Sequence, residues 1–409
     1  MVQESEASAV PVVRATAMAD ATPQRAVDPR IRGRMPALDG VRGLAILMVL
    51  FVHFFADTVA TNRFERVLTR VSGFGTYGVD LFFMLSGFLI TGILVDSKGG
   101  GGYFRNFYAR RAVRIFPLYY GILIVLIVIA PLVVSSPALA VLRSRQAWAW
   151  LYGINILSGL RGEYSFPYID HFWSLAVEEH FYFFWPLVVW LCPRPTLLRV
   201  CIGLAFASLI ARMIAASLAV NLLALGILTP FRLDGLCFGG ALAVYARGPG
   251  GLDALARATR KLAIWGVVLF VVSHAVSATR PDLFGPMRQL RASLFTVFLG
   301  HMMVSALRSK PGAWLSWLFG PKLQFLGTYS YGLYVFHHLI SYYYYRHQTE
   351  FVIARWVGSH TAAVFLQASV GMVVSMGIAI VSYHFFEKRF LLLKRRWEPH
   401  SKNVRLQTN

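Results

Sequence analysis

The sequence predicts an all-α fold, a bundle of about ten helices that crosses a membrane many times. Of the 409 residues, 56% are hydrophobic and only 14% are charged, and the mean hydropathy is +0.56. A soluble domain has nearer a quarter of its residues charged. The net charge of +21 is spread over short loops between apolar segments. This pattern follows the positive-inside rule of membrane proteins and argues against a nucleic-acid partner.

Ten segments approach the length of about 20 apolar residues that a membrane-spanning helix requires. They are 37–59, 77–96, 115–135, 172–192, 197–220, 230–247, 261–279, 289–307, 323–346 and 362–386. A weaker apolar piece at 146–160 is not expected to span, because an eleventh span would place the later basic loops outside. Ten spans and a cytoplasmic N-terminus put the basic loops inside, except for a cluster in the first outer loop, Arg63, Arg66 and Arg70.

The domain organisation follows from these spans. Residues 1–35 are rich in Ala, Val, Pro and Arg without helical periodicity, so we expect a disordered cytoplasmic tail rather than a signal peptide, whose apolar core is missing. We expect residues 36–396 to form the membrane domain and 397–409 to form a cytoplasmic C-terminal tail, with no soluble domain appended. The outer connection 136–171 is the longest and is a candidate for substrate contacts. No metal-ligand spacing is found among the cysteines, which are Cys192, Cys201 and Cys237.

The segment HFWSLAVEEHFYFFWP, residues 171–186, places adjacent carboxylates inside an aromatic span. A charge at the bilayer centre costs about 2.5–3.5 kcal/mol even on mild insertion scales. Glu179 points about 100° away from Glu178 on a helix, so the two carboxylates need not share a role. One helical stripe holds His171, Ser174, Glu178 and Tyr182. A purely structural ion pair is the alternative to a functional site for either glutamate.

Arg42 and His53 share the first apolar segment. Eleven residues bring them to the same helix face, about 16 Å apart along the axis, so a rod-like ligand could contact both. The alternatives are a snorkelling interfacial arginine and a satisfied core histidine. Depth along the spans predicts that Glu178 approaches His53 and orients its imidazole, while Glu179 pairs with a basic residue such as Arg232.

Further polar groups lie at the ends of other spans. Arg111 and Arg114 share a face just before the third span and suit phosphate oxygens, although ordinary positive-inside charge also explains them. His337 and His338 are chain neighbours that should face different directions, so we expect them to be a poor metal pair. The remaining weak clusters are Arg232 with Asp234, Tyr334 beside these histidines, and Tyr383 with His384 and Glu387.

Seven segments, in the expected order, resemble the family-3 membrane acyltransferases, which are integral-membrane O-acyltransferases of bacterial surface glycans and some secondary metabolites. They are 38–55, 78–91, 107–120, 171–186, 231–243, 326–338 and 382–390, and they span most of residues 36–395. The resemblance implies transfer of an acyl group, most often acetyl, from cytoplasmic acyl-CoA to a hydroxyl. It also implies a multi-pass protein of the bacterial cytoplasmic (inner) membrane, and the basic-loop pattern predicts that both termini are cytoplasmic.

The resemblance carries over residue by residue. Arg42 and His53 match the family's arginine and histidine, and the family's Arg-x-x-Arg pair matches Arg111 and Arg114. The Glu-Glu motif matches Glu178 and Glu179, but His180 stands where glutamine is common. We therefore expect a catalytic set of His53, Glu178 and Glu179, and an acyl-CoA site of Arg42, Arg111 and Arg114. The expected substrate-binding residues are Trp173, Ser174, Arg232, Asp234, Tyr334 and His338.

The expected chemistry uses acyl-CoA as co-substrate, with no permanently bound cofactor and no metal. His53 takes the proton of the acceptor hydroxyl, and an acyl-histidine intermediate stays open. The acceptor can be a carbohydrate, a lipid-linked glycan or a small natural product. The competing class is a transporter whose intramembrane Arg, His and Glu relay protons or substrate, but no inverted repeat supports it. A non-catalytic scaffold would not explain the shared face of Arg42 and His53.

Overall fold

The computed structural model describes residues 28–397 of the chain. Within that range the regular structure is helical and contains no strand, which confirms the all-α prediction. Residues 1–27 and 398–409, which make up most of the two expected tails, lie outside the described residues. Residues 28–35 include the short turn Pro29–Ile31, in which Ile31 is buried. The described structure therefore begins before the expected start of the membrane domain at residue 36.

Ten long helical segments organise the described residues and are numbered α1 to α10 in chain order. They are Pro36–Ala56, Arg63–Ser97, Tyr103–Val133, Trp173–Leu191, Arg194–Ser217, Leu222–Ala246, Gly251–Thr279, Pro281–Arg308, Ser330–His347 and His360–Leu393. In this range eight of them, all but α4 and α9, are long and apolar enough to cross a membrane by length and composition. The fold is therefore a polytopic helix bundle.

The connection between α3 and α4 is not a single long helix. It contains Pro137–Ser144, Gln146–Trp150 and Ile154–Arg161. The apolar piece at 146–160 is therefore two short helices, and neither is among the candidate spans, as the sequence predicted.

The ninth predicted span, 323–346, is divided in two. Pro321–Thr328 is a separate short helix, and α9 begins at Ser330. The Ser330 hydroxyl donates to the Gly327 carbonyl at 2.9 Å, a local side-chain bond that competes with continuous helix. Gly327 also packs so closely against α1 that a Cβ there would lie 1.9 Å from the Asp39 carbonyl oxygen.

Glycines bring α2 and α6 together. A Cβ at Gly87 would lie 1.9 Å from the Leu236 carbonyl oxygen, and one at Gly239 would lie 2.0 Å from that of Met84. Small residues permit such close backbone approach between membrane helices. The contact aligns Arg232 of α6 with Asp80 of α2, and so helps to build the site.

Three helices contain a π-helical turn. These turns are Val52–Ala56 in α1, Ile124–Ile129 in α3 and Tyr383–Glu387 in α10. Single π turns inside α-helices are often found at functional sites. His53 lies in the first of them, so its direction is set by the wider turn and not by regular α-helical spacing alone.

Candidate functional site

Among the cavities that the described residues form, two contain the candidate site, and each is named here for its basic residues. The arginine cavity, of about 100 Å³, is lined by Arg42 and Arg114 together with Glu178. The histidine cavity, of about 780 Å³, is lined by His53 and His338 among others. The larger volume is in the range of small-molecule binding sites.

Val79 and Tyr334 line both cavities and form the boundary between them. The Tyr334 hydroxyl donates to the His171 carbonyl oxygen at 2.7 Å. It also lies 2.6 Å from the Ser174 hydroxyl, which donates to it because the single proton of Tyr334 is already used. These two bonds tie α9 to the start of α4 between the cavities.

Two of the three arginines predicted for a donor site line the arginine cavity. Arg42 donates to Asp39 at 3.0 Å and remains 23% exposed, and Arg114 lines the cavity. Arg111 does not line it but lies over the Tyr182 ring at 5.4 Å. The two guanidinium groups that face the cavity can bind anionic oxygens.

Glu178 belongs to the arginine cavity and not to His53. Its Oε1 accepts a hydrogen bond from Ser86, which in turn accepts one from Tyr182 at 3.1 Å. The predicted pairing of Glu178 with His53 is therefore wrong. Tyr334 lies between the two cavities that these residues line. Of the predicted stripe, Ser174, Glu178 and Tyr182 line this cavity, whereas His171 precedes α4 and lines the histidine cavity.

Glu179 points elsewhere, as helical geometry predicted, but its expected partner is wrong. Arg232 instead donates to Asp80 at 2.6 Å, because the glycine contact aligns α2 with α6. The Oε1 atom of Glu179 is buried and has no hydrogen-bond partner within residues 28–397. The neighbouring His180 places its Nδ1 2.7 Å from the Thr229 hydroxyl.

His53 takes its carboxylate partner from its own helix. Its Nδ1 lies 3.3 Å from Asp57 Oδ2. An ionised carboxylate only accepts hydrogen bonds, so Nδ1 donates and Nε2 keeps its lone pair. His53 is 25% exposed and faces the large cavity. It can therefore act as a base toward a ligand there.

The predicted divergence of His337 and His338 is wrong. Their rings lie 5.0 and 4.8 Å from the His53 ring, and 5.1 and 4.7 Å from the His171 ring, measured between centroids. Neighbouring helix positions start about 100° apart, but their side chains converge because α1 and the start of α4 both face this part of α9. The four residues are called the histidine cluster below.

The six predicted substrate-binding residues do not all line the same cavity. Trp173, Arg232, Tyr334 and His338 line the histidine cavity. Ser174 lines the arginine cavity and faces the predicted donor site. Asp234 lines neither cavity and accepts from the buried Arg212 at 2.7 Å. Its structural role is to hold Arg212, which lines the histidine cavity.

Sequence reasoning missed four residues that shape the site, namely Asp57, Asp80, Ser86 and Arg212. Asp57 could have been found from its i, i+4 spacing to His53. Asp80 and Arg212 are charges inside apolar helices, the same signal that identified the glutamates. Ser86 carries no such signal, because serine is common in membrane helices.

The connection before α4 contributes an acid to the histidine cavity. Asp170 lines that cavity and accepts from the Phe166 backbone N–H at 2.7 Å. Burial raises the pKa of Asp170 to about 6 and outweighs the hydrogen bond, which lowers the pKa. The predicted contribution of 136–171 to the site is thus present as Tyr164, Asp170 and His171.

Comparison with known proteins identifies relatives. The peptidoglycan O-acetyltransferase OatA of Listeria monocytogenes is 30% identical over 328 residues, which cover 76% of this chain and 50% of the relative. YrhL of Bacillus subtilis, provisionally named a peptidoglycan O-acetyltransferase, is 28% identical over 401 residues, covering 87% of this chain and 54% of the relative. The chain thus spans about half the length of these relatives. No solved structure matches the chain.

A family model extends over nearly all of the helical bundle. Residues 35–384 match the family described as acyltransferase domain, of the third acyltransferase type. The match includes the arginine cavity, the boundary at Tyr334 and all four residues of the histidine cluster. The chain therefore belongs to the family-3 membrane acyltransferases.

Proposed function

We propose that this protein transfers an acetyl group from acetyl-CoA to a hydroxyl of a glycan acceptor. The observation that carries the proposal is the pair of cavities that meet at Tyr334, with cations in one and the base His53 in the other. Family membership favours this enzyme class over the transporter alternative. Acetyl is the favoured acyl group because both relatives are named O-acetyltransferases.

The donor binds from the arginine side in this proposal. Arg114 and Arg42 line the cavity and bind the phosphates and the neighbouring polar part of the donor. Arg111, held over Tyr182, adds positive charge beside them. The pantetheine arm leads the thioester to the boundary, where the bond between Tyr334 and Ser174 must open for the acetyl carbon to reach the histidine cavity.

The acceptor occupies the histidine cavity. Its volume of about 780 Å³ accommodates a sugar unit, and its aromatic lining offers faces for a sugar ring. These aromatic residues are Tyr77, Tyr164, Trp173 and Tyr342. A peptidoglycan disaccharide is the first acceptor to test, because the named relatives modify peptidoglycan. Arg232, fixed by Asp80, supplies a positive charge in the same cavity.

The reaction itself is direct transfer. His53 Nε2 accepts the hydroxyl proton while the acceptor oxygen attacks the thioester carbonyl carbon. The carbon–sulfur bond breaks, and the proton on His53 passes to the leaving CoA thiolate. Asp57 holds Nδ1 and stabilises the positive charge that develops on the imidazole. The proposal gives Glu178 and Glu179 no contact with His53 and places Glu178 at the donor.

Purified full-length protein in liposomes tests this function. Acetyl-CoA is supplied on one side and the N-acetylglucosamine–N-acetylmuramic acid disaccharide on the other. Free CoA release that depends on the disaccharide, together with the acetylated product in mass spectrometry, is the expected result. Movement of disaccharide across the bilayer without CoA release would instead identify a transporter.

Orientation is part of the proposal. The arginine cavity opens toward the cytoplasm of a bacterial inner membrane, and both chain ends lie on that side, because the basic loops indicate it. Cysteine substitutions near Lys388 and near Tyr164 should react with a membrane-impermeant thiol reagent from opposite sides. Labelling of both positions from the outside would contradict this topology.

A further inference from the structure

The histidine cluster brings more imidazole groups together than one general base needs. His53, His337 and His338 each place one ring nitrogen within 4.8 Å of the others. These three residues come from α1 and α9, which are far apart in the sequence. Zinc bonds imidazole nitrogen at about 2.0–2.1 Å, and three histidines with one open position form a known type of zinc site. Binding of one ion by all three rings therefore requires the rings to turn these nitrogens toward a common point.

The second nitrogen of each ring is already held. Nδ1 of His53 is bonded to Asp57 at 3.3 Å, and Nδ1 of His337 lies 3.0 Å from the Leu333 carbonyl oxygen. Nδ1 of His338 lies 3.2 Å from the Ser341 hydroxyl. Histidines that bind metals almost always use one nitrogen for the ion and donate from the other to a carboxylate, carbonyl or similar group. All three rings therefore have the arrangement of metal ligands.

One ring nitrogen in this arrangement is otherwise unexplained. His337 is fully buried, and its Nε2 has no hydrogen-bond partner in the described part of the chain. Buried polar atoms are nearly always satisfied by protein, water or an ion. The general-base mechanism uses only His53 and gives this nitrogen no role, whereas an ion between the three rings would satisfy it.

An ion can reach the site and be neutralised there. His53 and His338 line the histidine cavity, so the cluster is open to its solvent. Asp57 and Asp170 line the same cavity and offset positive charge. Imidazole ligands without an oxygen cage favour zinc and similar transition metals over magnesium or calcium.

We propose that His53, His337 and His338 form a binding site for a divalent transition metal ion, with zinc as the expected occupant. Binding of the ion does not depend on the proposed acetyl transfer. Its consequence for transfer does rest on that function: a zinc ion takes the lone pair of His53 that the acceptor proton needs. The metal-bound and catalytic states therefore exclude each other, and zinc is an inhibitor that acts from the histidine cavity.

Equilibrium dialysis of the detergent-purified full chain against buffered zinc tests the site. The chain is first stripped with EDTA, and bound metal is measured by mass spectrometry. We expect one zinc ion per chain, with at least tenfold weaker binding in His338→Gln and in His53→Gln. Asp57→Asn should weaken binding about 10–100-fold, because it acts on an orienting group. His274→Gln, an exposed histidine on α7, is the control and should bind like the wild type.

Two outcomes would overturn the site. In the first, the wild type binds no more zinc than a double variant that carries both His53→Gln and His338→Gln. In the second, the single-site variants bind zinc with the same affinity as the His274→Gln control. Gel filtration and circular dichroism establish that each variant is folded. Acetyl transfer is then measured across the same zinc concentrations. Zinc that binds as expected without inhibiting transfer supports the metal site and removes His53 as the base, so the two proposals fail separately.

Discussion

The arginine cavity and the histidine cavity differ in how their ionisable groups are partnered. In the first, Arg42 donates to Asp39 at 3.0 Å and Glu178 accepts from Ser86. In the second, both ring nitrogens of the lining residue His171 are buried without a partner among residues 28–397. The same holds for Nε2 of His337, which does not line the cavity but packs beside His171. Satisfied groups are preorganised to bind charge, whereas free lone pairs are available for proton transfer or for a metal. In the proposed function, the arginine cavity is therefore the binding end and the histidine cavity the reactive end.

Size reinforces the difference. The arginine cavity holds about 100 Å³ and the histidine cavity about 780 Å³. In the proposed function, the small cavity receives the narrow arm of the donor and the large one receives a sugar. Both ends meet at Tyr334, so changes on either side should affect different kinetic quantities.

The largest effect is expected at the reactive end. His53→Gln keeps polarity and approximate size but removes the base, so turnover should fall about 10²–10⁴-fold. The affinity for acetyl-CoA should stay near that of the wild type, because Tyr334 separates His53 from the arginine cavity. Steady-state kinetics and direct donor binding measure the two quantities.

His274→Gln is the matched control for this change, since it alters an exposed histidine outside both cavities. It should leave turnover and donor binding unchanged. Near-normal turnover in a folded His53→Gln protein would mean that His53 has only a packing role. The histidine cavity would then not be the reactive end.

The sequence predicted the all-α bundle because the length and spacing of apolar segments determine it locally. It also placed Arg42 and His53 on one helix, and the two do line neighbouring cavities. It failed on the partner of His53, because depth along two helices does not say which helices are neighbours. Asp57, the actual partner, is four residues away and was predictable from spacing alone.

Other differences arise from tertiary contacts. The break before Ser330 divides a segment whose apolar pattern is continuous, and it coincides with the close approach of Gly327 to α1. The side chains of His337 and His338 converge because of the helices that pack against α9. Sequence periodicity does not show which helices these are. The family resemblance supplied motifs at these positions but not their geometry.

The second largest effect is expected at the binding end. Arg114→Ala should weaken acetyl-CoA binding about 10–100-fold, since hydrogen bonds to charged groups contribute about 1.5–3 kcal/mol and each 1.4 kcal/mol is tenfold. Arg111→Ala should have a smaller effect in the same direction, because Arg111 lies behind Tyr182. Turnover at saturating donor should change little in either variant.

Arg105→Ala is the charge-matched control on α3, because Arg105 is exposed and outside the cavity. Titration calorimetry with acetyl-CoA compares the three variants. If Arg114→Ala and Arg105→Ala have equal affinity for acetyl-CoA, Arg114 does not bind the donor and is explained by the ordinary positive charge of cytoplasmic loops.

A smaller effect is expected where the two cavities meet. Tyr334→Phe keeps the ring but removes the bonds to His171 and Ser174. At about 0.5–1.5 kcal/mol for a hydrogen bond, the boundary should open about 2–10-fold more often. We expect the ratio of CoA release without acceptor to CoA release with acceptor to be about 2–10-fold higher in Tyr334→Phe than in the wild type. An unchanged ratio would mean that these bonds do not control passage between the cavities.

The smallest effect concerns the acid that the loop before α4 places in the histidine cavity. Burial raises the pKa of Asp170 to about 6 from its ordinary value of 3.8. The folded state therefore favours the protonated carboxyl of Asp170. The contribution of this group to the free energy of unfolding is fully present below about pH 4 and is lost as the pH rises through about 6. In Asp170→Asn this loss is absent, so the fall in thermal midpoint between pH 5 and pH 7.5 should be smaller than in the wild type by a few degrees. Glu163→Gln, a mostly exposed acid of the same loop, should keep the wild-type fall. If Asp170→Asn and Glu163→Gln give the same pH dependence, Asp170 is not a buried acid and the histidine cavity is more open to water than its lining indicates.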